Sequence, residues 1–215
     1  MCLQETKRPA STRENWSQGW HGFSLWASSP AAHGQAGVAI LLHPRLPAPL
    51  SHFTSPDGRS LSLLLEWEGV GLNFINVYGP AEAQDRGAFF SSLPEGLVPP
   101  VSELEVFHVA CGDWNCVENP ALDKRGGARL RSSPGFADLE RALQGWDVED
   151  LWRRTFPEAQ EFTWSAGTTE ARLDRVYTPR ALRSWCSPPP PPPFPPPPPC
   201  PQALRVAHNQ PAAPP

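Results

Sequence analysis

"VACGDWNCV", Val109 to Val117, sets an acid and an amide two residues apart where an apolar run ends. The run before it, within "LEVFHVACGD" from Leu104, reads as a buried strand. Gly112-Asp113 alone would satisfy a turn. Asp113 and Asn115 together bring a carboxylate and an amide to one strand end. A site that cuts phosphate esters wants both, with partners from elsewhere in the chain.

Working outward, strand signals alternate with helix signals. "AGVAILLH" (Ala36–His43) is a short apolar run entered through Gly37, as for a central strand. Leu61–Trp67 and Leu72–Tyr78 read as a hairpin about Gly69-Val70-Gly71. "DRGAFFSSL" suits a helix that turns Phe89, Phe90 and Leu93 inward. Another helix starts at Ser133 as N-cap, with Pro134 in its first turn and Phe136, Leu139 and Leu143 on one face; Gly145 stops it. "EFTWSAG" and "ARLDRVYTP" follow as strand-like runs. Mixed elements with an evident hairpin predict a layered α/β domain whose sheet is mainly antiparallel.

With 215 residues, 40% of them apolar, and nine Trp, the chain can bury a core without disulfides. Its formal charge of −4 does not mark a polyanion binder, so nucleic-acid contact would need a local basic patch or bridging cations. Cys2, Cys111, Cys116, Cys186 and Cys200 form no C-x-x-C pair, which argues against zinc and for reduced thiols. No apolar leader opens the chain, and no run nears the ~18 residues of a membrane span. A nuclear or cytoplasmic location is the expectation. From Ser187, "SPPPPPPFPPPPPC" predicts an extended polyproline segment, since proline has no N–H for a sheet ladder. This divides the chain into a folded domain, residues 1–184, and a proline-rich disordered tail, residues 185–215. Such a tail could serve as a ligand for SH3- or WW-type domains.

Four clusters could carry chemistry. They are Glu5 in "CLQETK", Asn76 and Tyr78 in "FINVYGP", Asp113 with Asn115, and Asp174 in "RLDRVY". Singly, each has a plain structural reading: a solvated terminal charge, a strand amide with a half-buried ring, a turn, and a strand acid paired with Arg172 or Arg175. Together they match a phosphodiesterase. Mg²⁺ takes few carboxylates plus water and substrate phosphate, and Glu5 can offer one. Asp113 can orient and deprotonate water, and Asn115 and Tyr78 can donate to charge building on phosphorus.

In order, "LQETK…GVAIL…NVYGP…GDWN…FTW…RLDRVY" resembles the endonuclease/exonuclease/phosphatase (DNase-I-like) superfamily, specifically the endonuclease domain of LINE-type retrotransposons. The resemblance runs from about Cys2 to Ser184. It implies a four-layered α/β sandwich with a site at the top of two facing sheets, and Mg²⁺-dependent (or Mn²⁺-dependent) cleavage of DNA. It implies that Glu5 binds the metal and that Tyr78 contacts the scissile phosphate, with Asn76 as its strand neighbour. Asp113 and Asn115 would position water and phosphate, and Asp174 would orient a catalytic histidine. Thr163 and Trp164 would lie on a DNA-probing hairpin, Arg172 and Arg175 would flank Asp174, and Asn76, Thr163, Trp164, Arg172 and Arg175 would contact the DNA.

Two departures from the family pattern stand out. The family's first strand, with an asparagine near the metal, precedes the Gln-Glu motif, and here Met1 stands three residues before Gln4. Its last strand carries Ser-Asp-His, and here polyproline occupies that place; His208 in "AHN" does not match. The sandwich is therefore expected to be incomplete at both ends, and its nicking activity impaired. Within the superfamily, an abasic-site enzyme or another phosphoesterase is the alternative. Outside catalysis, the alternative is a remnant that only interacts through its prolines.

Overall fold

A computed structural model describes residues 1–7, 19–28, 36–93, 103–127 and 133–185. Cys2–Leu3 (β1), Ser24–Ala27 (β2) and Val38–Leu41 (β3) form an antiparallel sheet in the order β1-β3-β2. As "GVAIL" leads one to expect, β3 is central and all four of its residues are buried. The chain continues through β4 (Ser51–Thr54), β5 (Ser60–Trp67), β6 (Val70–Tyr78), α1 (Arg86–Ser92), β7 (Val106–Asp113) and β8 (Lys124–Arg125). Then come α2 (Phe136–Gly145), β9 (Val148–Asp150), α3 (Leu151–Thr155), β10 (Trp164–Ala166), β11 (Thr169–Ala171) and β12 (Asp174–Pro179).

The large sheet has six strands in the order β4-β5-β6-β7-β12-β9. Its pairs are antiparallel except β6 with β7, whose connection carries α1. Both faces of this sheet are covered. On one, Leu61, Leu63 and Leu65 of β5 meet Val38 and Ile40 of the small sheet. On the other, Phe90 of α1 with Leu139 and Leu143 of α2 packs over Ile75, Val77 and Ala110. Double coverage explains why Ser60 to Leu65 is buried throughout instead of alternating. Among the described residues the layers are small sheet, large sheet and helices; the fourth expected layer is not represented there. A separate sheet, β10-β11-β8, projects the hairpin predicted around Trp164.

Three local expectations are corrected. The β5–β6 hairpin turns at Glu68-Gly69, not at Gly69-Val70-Gly71. Both residues take positive φ, 51° and 83°, as a tight two-residue hairpin loop requires, and Val70 pairs with Trp67. Helix α2 is entered through Gly135 at φ 81°, not capped by Ser133, whose carbonyl instead accepts the Phe136 N–H at 3.0 Å. "ARLDRVYTP" is two strands, because the Arg172 N–H leaves the ladder for the Asp123 carbonyl at 2.9 Å.

The proline-rich segment from Ser187, Cys186, Cys200 and His208 lie outside the described residues. No helix among the described residues is long and apolar enough to cross a membrane.

Gly112 shows how closely β6 and β7 approach. Its φ is 150°, and a Cβ there would lie 1.9 Å from the Val77 carbonyl oxygen. Gly112→Ala is expected to cost about 2–4 kcal/mol through strain and overpacking, read as a fall in the urea midpoint at unchanged slope.

Candidate active site

Three strand ends meet at one point. Parallel pairing of β6 with β7 sets Tyr78 beside Asp113, and antiparallel entry of β12 sets Asp174 opposite Asp113. Glu5 arrives from the facing small sheet. The pairing that begins in β1 continues past it, with Thr6 and Lys7 N–H groups donating to the Gly37 and Ala36 carbonyls at 3.1 Å. Glu5 itself has φ 52°, a kink that breaks the strand where the carboxylate is presented. The Tyr78 hydroxyl donates to Glu5 Oε1 at 3.2 Å, so one hydrogen bond spans the two sheets. Lys7 Nζ lies 3.1 Å from Glu5 Oε2.

Asp113 and Asn115 are held by local geometry. Asp113 Oδ1 accepts the Asn115 N–H at 2.9 Å, and Asn115 adopts φ 47°, a left-handed conformation that asparagine tolerates. Its Nδ2 then donates to the Gly79 carbonyl at 2.9 Å. Only glycine fits at 79, because a Cβ would come within 2.4 Å of the Trp114 carbonyl oxygen. Trp114 turns the other way. It is fully buried, 5.2 Å edge-on to Tyr177 and 6.3 Å from Phe90. The tryptophan therefore anchors the loop in the helix-side core while its two neighbours stay at the strand ends.

This arrangement, carboxylates, phenol and amide at the tips of two facing sheets, agrees with what most of the chain matches. Residues 1–197 match the sequence model of the Endonuclease/Exonuclease/phosphatase family. The chain belongs to that family. It is 27% identical over 192 residues to the "Transposon TX1 uncharacterized 149 kDa protein" of Xenopus laevis, a match covering 85% of this chain. The chain spans 14% of the length of that relative. Among solved structures, the AP endonuclease LMAP from Leishmania major superposes with a TM-score of 0.64 at 18% identity, covering 86% of this chain and 70% of that one. A humanized D. rerio TDP2 superposes with a TM-score of 0.52 at 16% identity, covering 82% and 68%. Both share the DNase-I-like α/β fold expected from the sequence.

In this member of the family the electrostatics are those of crowded acids. Burial, then the like charge of Asp174 and, less, of Glu5, pushes the Asp113 carboxyl up to about 7, although the Asn115 N–H favours its ionised form. Burial and the Glu5 carboxylate push the Tyr78 phenol up to about 12, so it remains a donor across the neutral range. Among the described residues no three His, Cys, Asp or Glu side chains come together closely enough to hold a metal by themselves. The site thus does not suit an all-protein metal cage. It leaves room for a hard divalent ion of the kind that takes one or two carboxylates and fills its other positions with water and substrate. Glu5, held by its phenol partner, is a carboxylate that could hold such an ion, and Asp113 is a neighbour whose ionised form is disfavoured by burial and by Asp174.

The residues expected to contact DNA separate into two groups. Arg172 and Arg175 are corrected: both are buried, so their guanidinium groups cannot reach a phosphate. Arg172 lies 2.8 Å from Asp123 Oδ1 and 2.7 Å from Asp150 Oδ2. Arg175 donates to the Cys116 and Arg172 carbonyls and to the Tyr177 hydroxyl. Asn76 is corrected likewise. It is fully buried, its Nδ2 donates to the Leu3 and Ala39 carbonyls at 2.9 Å, and its Oδ1 accepts from Gln4. Asn76 therefore ties β1 to the large sheet and places Glu5 without touching DNA. Thr163 Oγ1 accepts the N–H groups of Leu173 and Asp174 at 3.0 Å, which fixes the start of β12. Trp164 is 40% exposed on its hairpin and is free to meet a ligand face.

One residue at the site escaped the sequence reading. Arg59 places its guanidinium carbon 5.2 Å from the centre of the Tyr78 ring. The misplaced hairpin turn hid it. Counting back along the ladder from the Trp67–Val70 pair brings Arg59 opposite Tyr78.

Proposed function

We propose that this chain is a Mg²⁺-dependent DNA endonuclease domain of retrotransposon origin. The observation that carries the reading is the meeting of Tyr78, Asp113 and Asp174 on adjacent strand ends with Glu5 from the facing sheet. Family membership supports phosphodiester chemistry, and the likeness to a transposon protein supports the origin. Glu5 would hold the ion with water and phosphate oxygens, and the bound ion would supply charge neutralisation for the phosphate.

The chain's own groups divide the remaining work. Asp113, once ionised, orients a water and takes its proton. The Asn115 amide, fixed through one N–H to the Gly79 carbonyl, gives its other N–H to a phosphate oxygen as charge builds there, and the Tyr78 hydroxyl would turn its single proton from Glu5 to the phosphate. Asp174 keeps Asp113 basic by its like charge. Among the described residues no hydrogen bond or ion pair of Glu5, Tyr78, Asp113 or Asn115 involves a histidine. Because such groups act as a unit, turnover is expected to lie orders of magnitude below that of a full catalytic set.

The test is conversion of supercoiled plasmid to open circle with Mg²⁺. The chain is expected to nick slowly, to stop when the metal is chelated, and to lose about 10²-fold or more in Glu5→Ala. A wild-type chain that does not nick, or a variant that nicks equally well, overturns the reading.

A further inference from the structure

We propose that Arg59 is a positioning residue that sets both phosphate-facing donors, Tyr78 and Asn115. This deepens the endonuclease reading and rests on it for the kinetic part of its test. The Arg59 guanidinium lies over the Tyr78 ring at 5.2 Å, and its Nη1 is 3.4 Å from the carbonyl oxygens of both Tyr78 and Gly79. The Gly79 carbonyl is also the acceptor that holds the Asn115 amide at 2.9 Å. One cation thus covers the ring of one donor and shares the anchor of the other.

Arg59 is itself firmly placed. Its carbonyl accepts the Tyr78 N–H at 2.7 Å, and its own N–H is held by Ser55 Oγ at 3.1 Å and Asp57 Oδ1 at 3.0 Å. The preceding Gly58 carbonyl accepts the Gly37 N–H at 3.0 Å, tying this turn to the small sheet that carries Glu5. The cleft that Arg59 lines with Pro80 and Phe89 also contains Asp57 and Asp85. Two acids on that rim disfavour a phosphate there, so the guanidinium serves the strand end and not an incoming backbone.

The chain has two tyrosines, which permits a readout independent of activity. Labelling both rings with ¹³C at Cζ gives two resonances, and Tyr78→Phe assigns them. In Arg59→Met the Tyr78 resonance is expected to shift or broaden while that of buried Tyr177 stays, which also reports an intact core. In nicking assays kcat is expected to fall about 10-fold with KM changed less than about 2-fold. Arg59→Lys, which keeps charge but loses the planar fork, is expected to recover less than half of that loss. An unchanged Tyr78 resonance overturns the proposal, as does a raised KM at constant kcat, which would make Arg59 a DNA contact. If the wild-type chain does not nick, the endonuclease reading falls and the resonances alone decide the placement of Tyr78.

Discussion

Arg172→Met is expected to remove about 3–5 kcal/mol of stability, a large part of the roughly 5–15 kcal/mol that holds a domain together. The side chain is 3% exposed and faces two carboxylates that are almost as dry, Asp123 at 1% and Asp150 at 5%. Asp123 gathers most of this part of the molecule. Its Oδ1 takes Arg172 at 2.8 Å and Arg153 at 2.6 Å, and its Oδ2 accepts the Asn119 N–H at 3.0 Å. Asp150 meanwhile caps α3 through the Arg153 N–H at 3.0 Å. Methionine fills similar volume but leaves Asp150 without its arginine and Asp123 with Arg153 alone, and breaking a buried pair from one side is the costly way to break it.

The pH dependence separates this loss from simple cavity formation. Burial alone would push the Asp123 carboxyl up, yet the Arg172 hydrogen bond and charge, with Asn119 and Arg153, hold it below its ordinary value. A carboxyl lowered in the folded state contributes stability above its unfolded value and loses it as pH falls through the folded one. Wild type is therefore expected to lose stability in acid where Arg172→Met loses less, the two converging as pH falls. Adding Asp123→Asn and Asp150→Asn to Arg172→Met is expected to return part of the loss at neutral pH, since both amides can still accept and asparagine still caps. Urea unfolding across pH measures all three proteins.

How much of this was legible in the sequence depended on whether a side chain's role is fixed by its own strand. Asp113 and Asn115 were readable because a strand end, a glycine and an Asx turn lie within a few residues, and the strand is observed as Val106–Asp113. The central place of "GVAIL" was readable because a strand buried along its whole length is apolar throughout. Arg172 and Arg175 misled because charge flanking an acid suggests surface, whereas their partners Asp123, Asp150 and Glu118 come from distant loops and from β9 and its end. No local pattern encodes that pairing. Asn76 misled for the opposite reason. Its spacing from Tyr78 places both on one face, but β1 covers the amide and leaves only the phenol at the edge. Arg59 depended on a register that one misplaced turn residue was enough to shift.

Asp113→Asn is expected to abolish nicking, by about 10³-fold or more, and to make the protein more stable at neutral pH. The two effects have one cause. Burial and the neighbouring Asp174 and Glu5 carboxylates hold the Asp113 carboxyl near 7, well above the value it has in the unfolded chain. Between those two values the native state keeps a proton that the unfolded state has released, so stability falls as pH rises through that window. A general base must be ionised to act, so activity rises over the upper part of the same window. Asparagine keeps an oxygen for the Asn115 N–H but carries no charge, so its stability is expected to stay flat there and to exceed wild type by about 1–3 kcal/mol at pH 8. Asp174→Asn removes the nearest like charge and is expected to move the acidic limb of the nicking profile below 7 while lowering the rate. Any cation held at Glu5 favours the ionised acid as well, so stability is measured with chelator present and nicking with Mg²⁺. An acidic limb that stays in place in Asp174→Asn, or an Asp113→Asn protein no more stable than wild type at pH 8, would show that these carboxylates do not share one field.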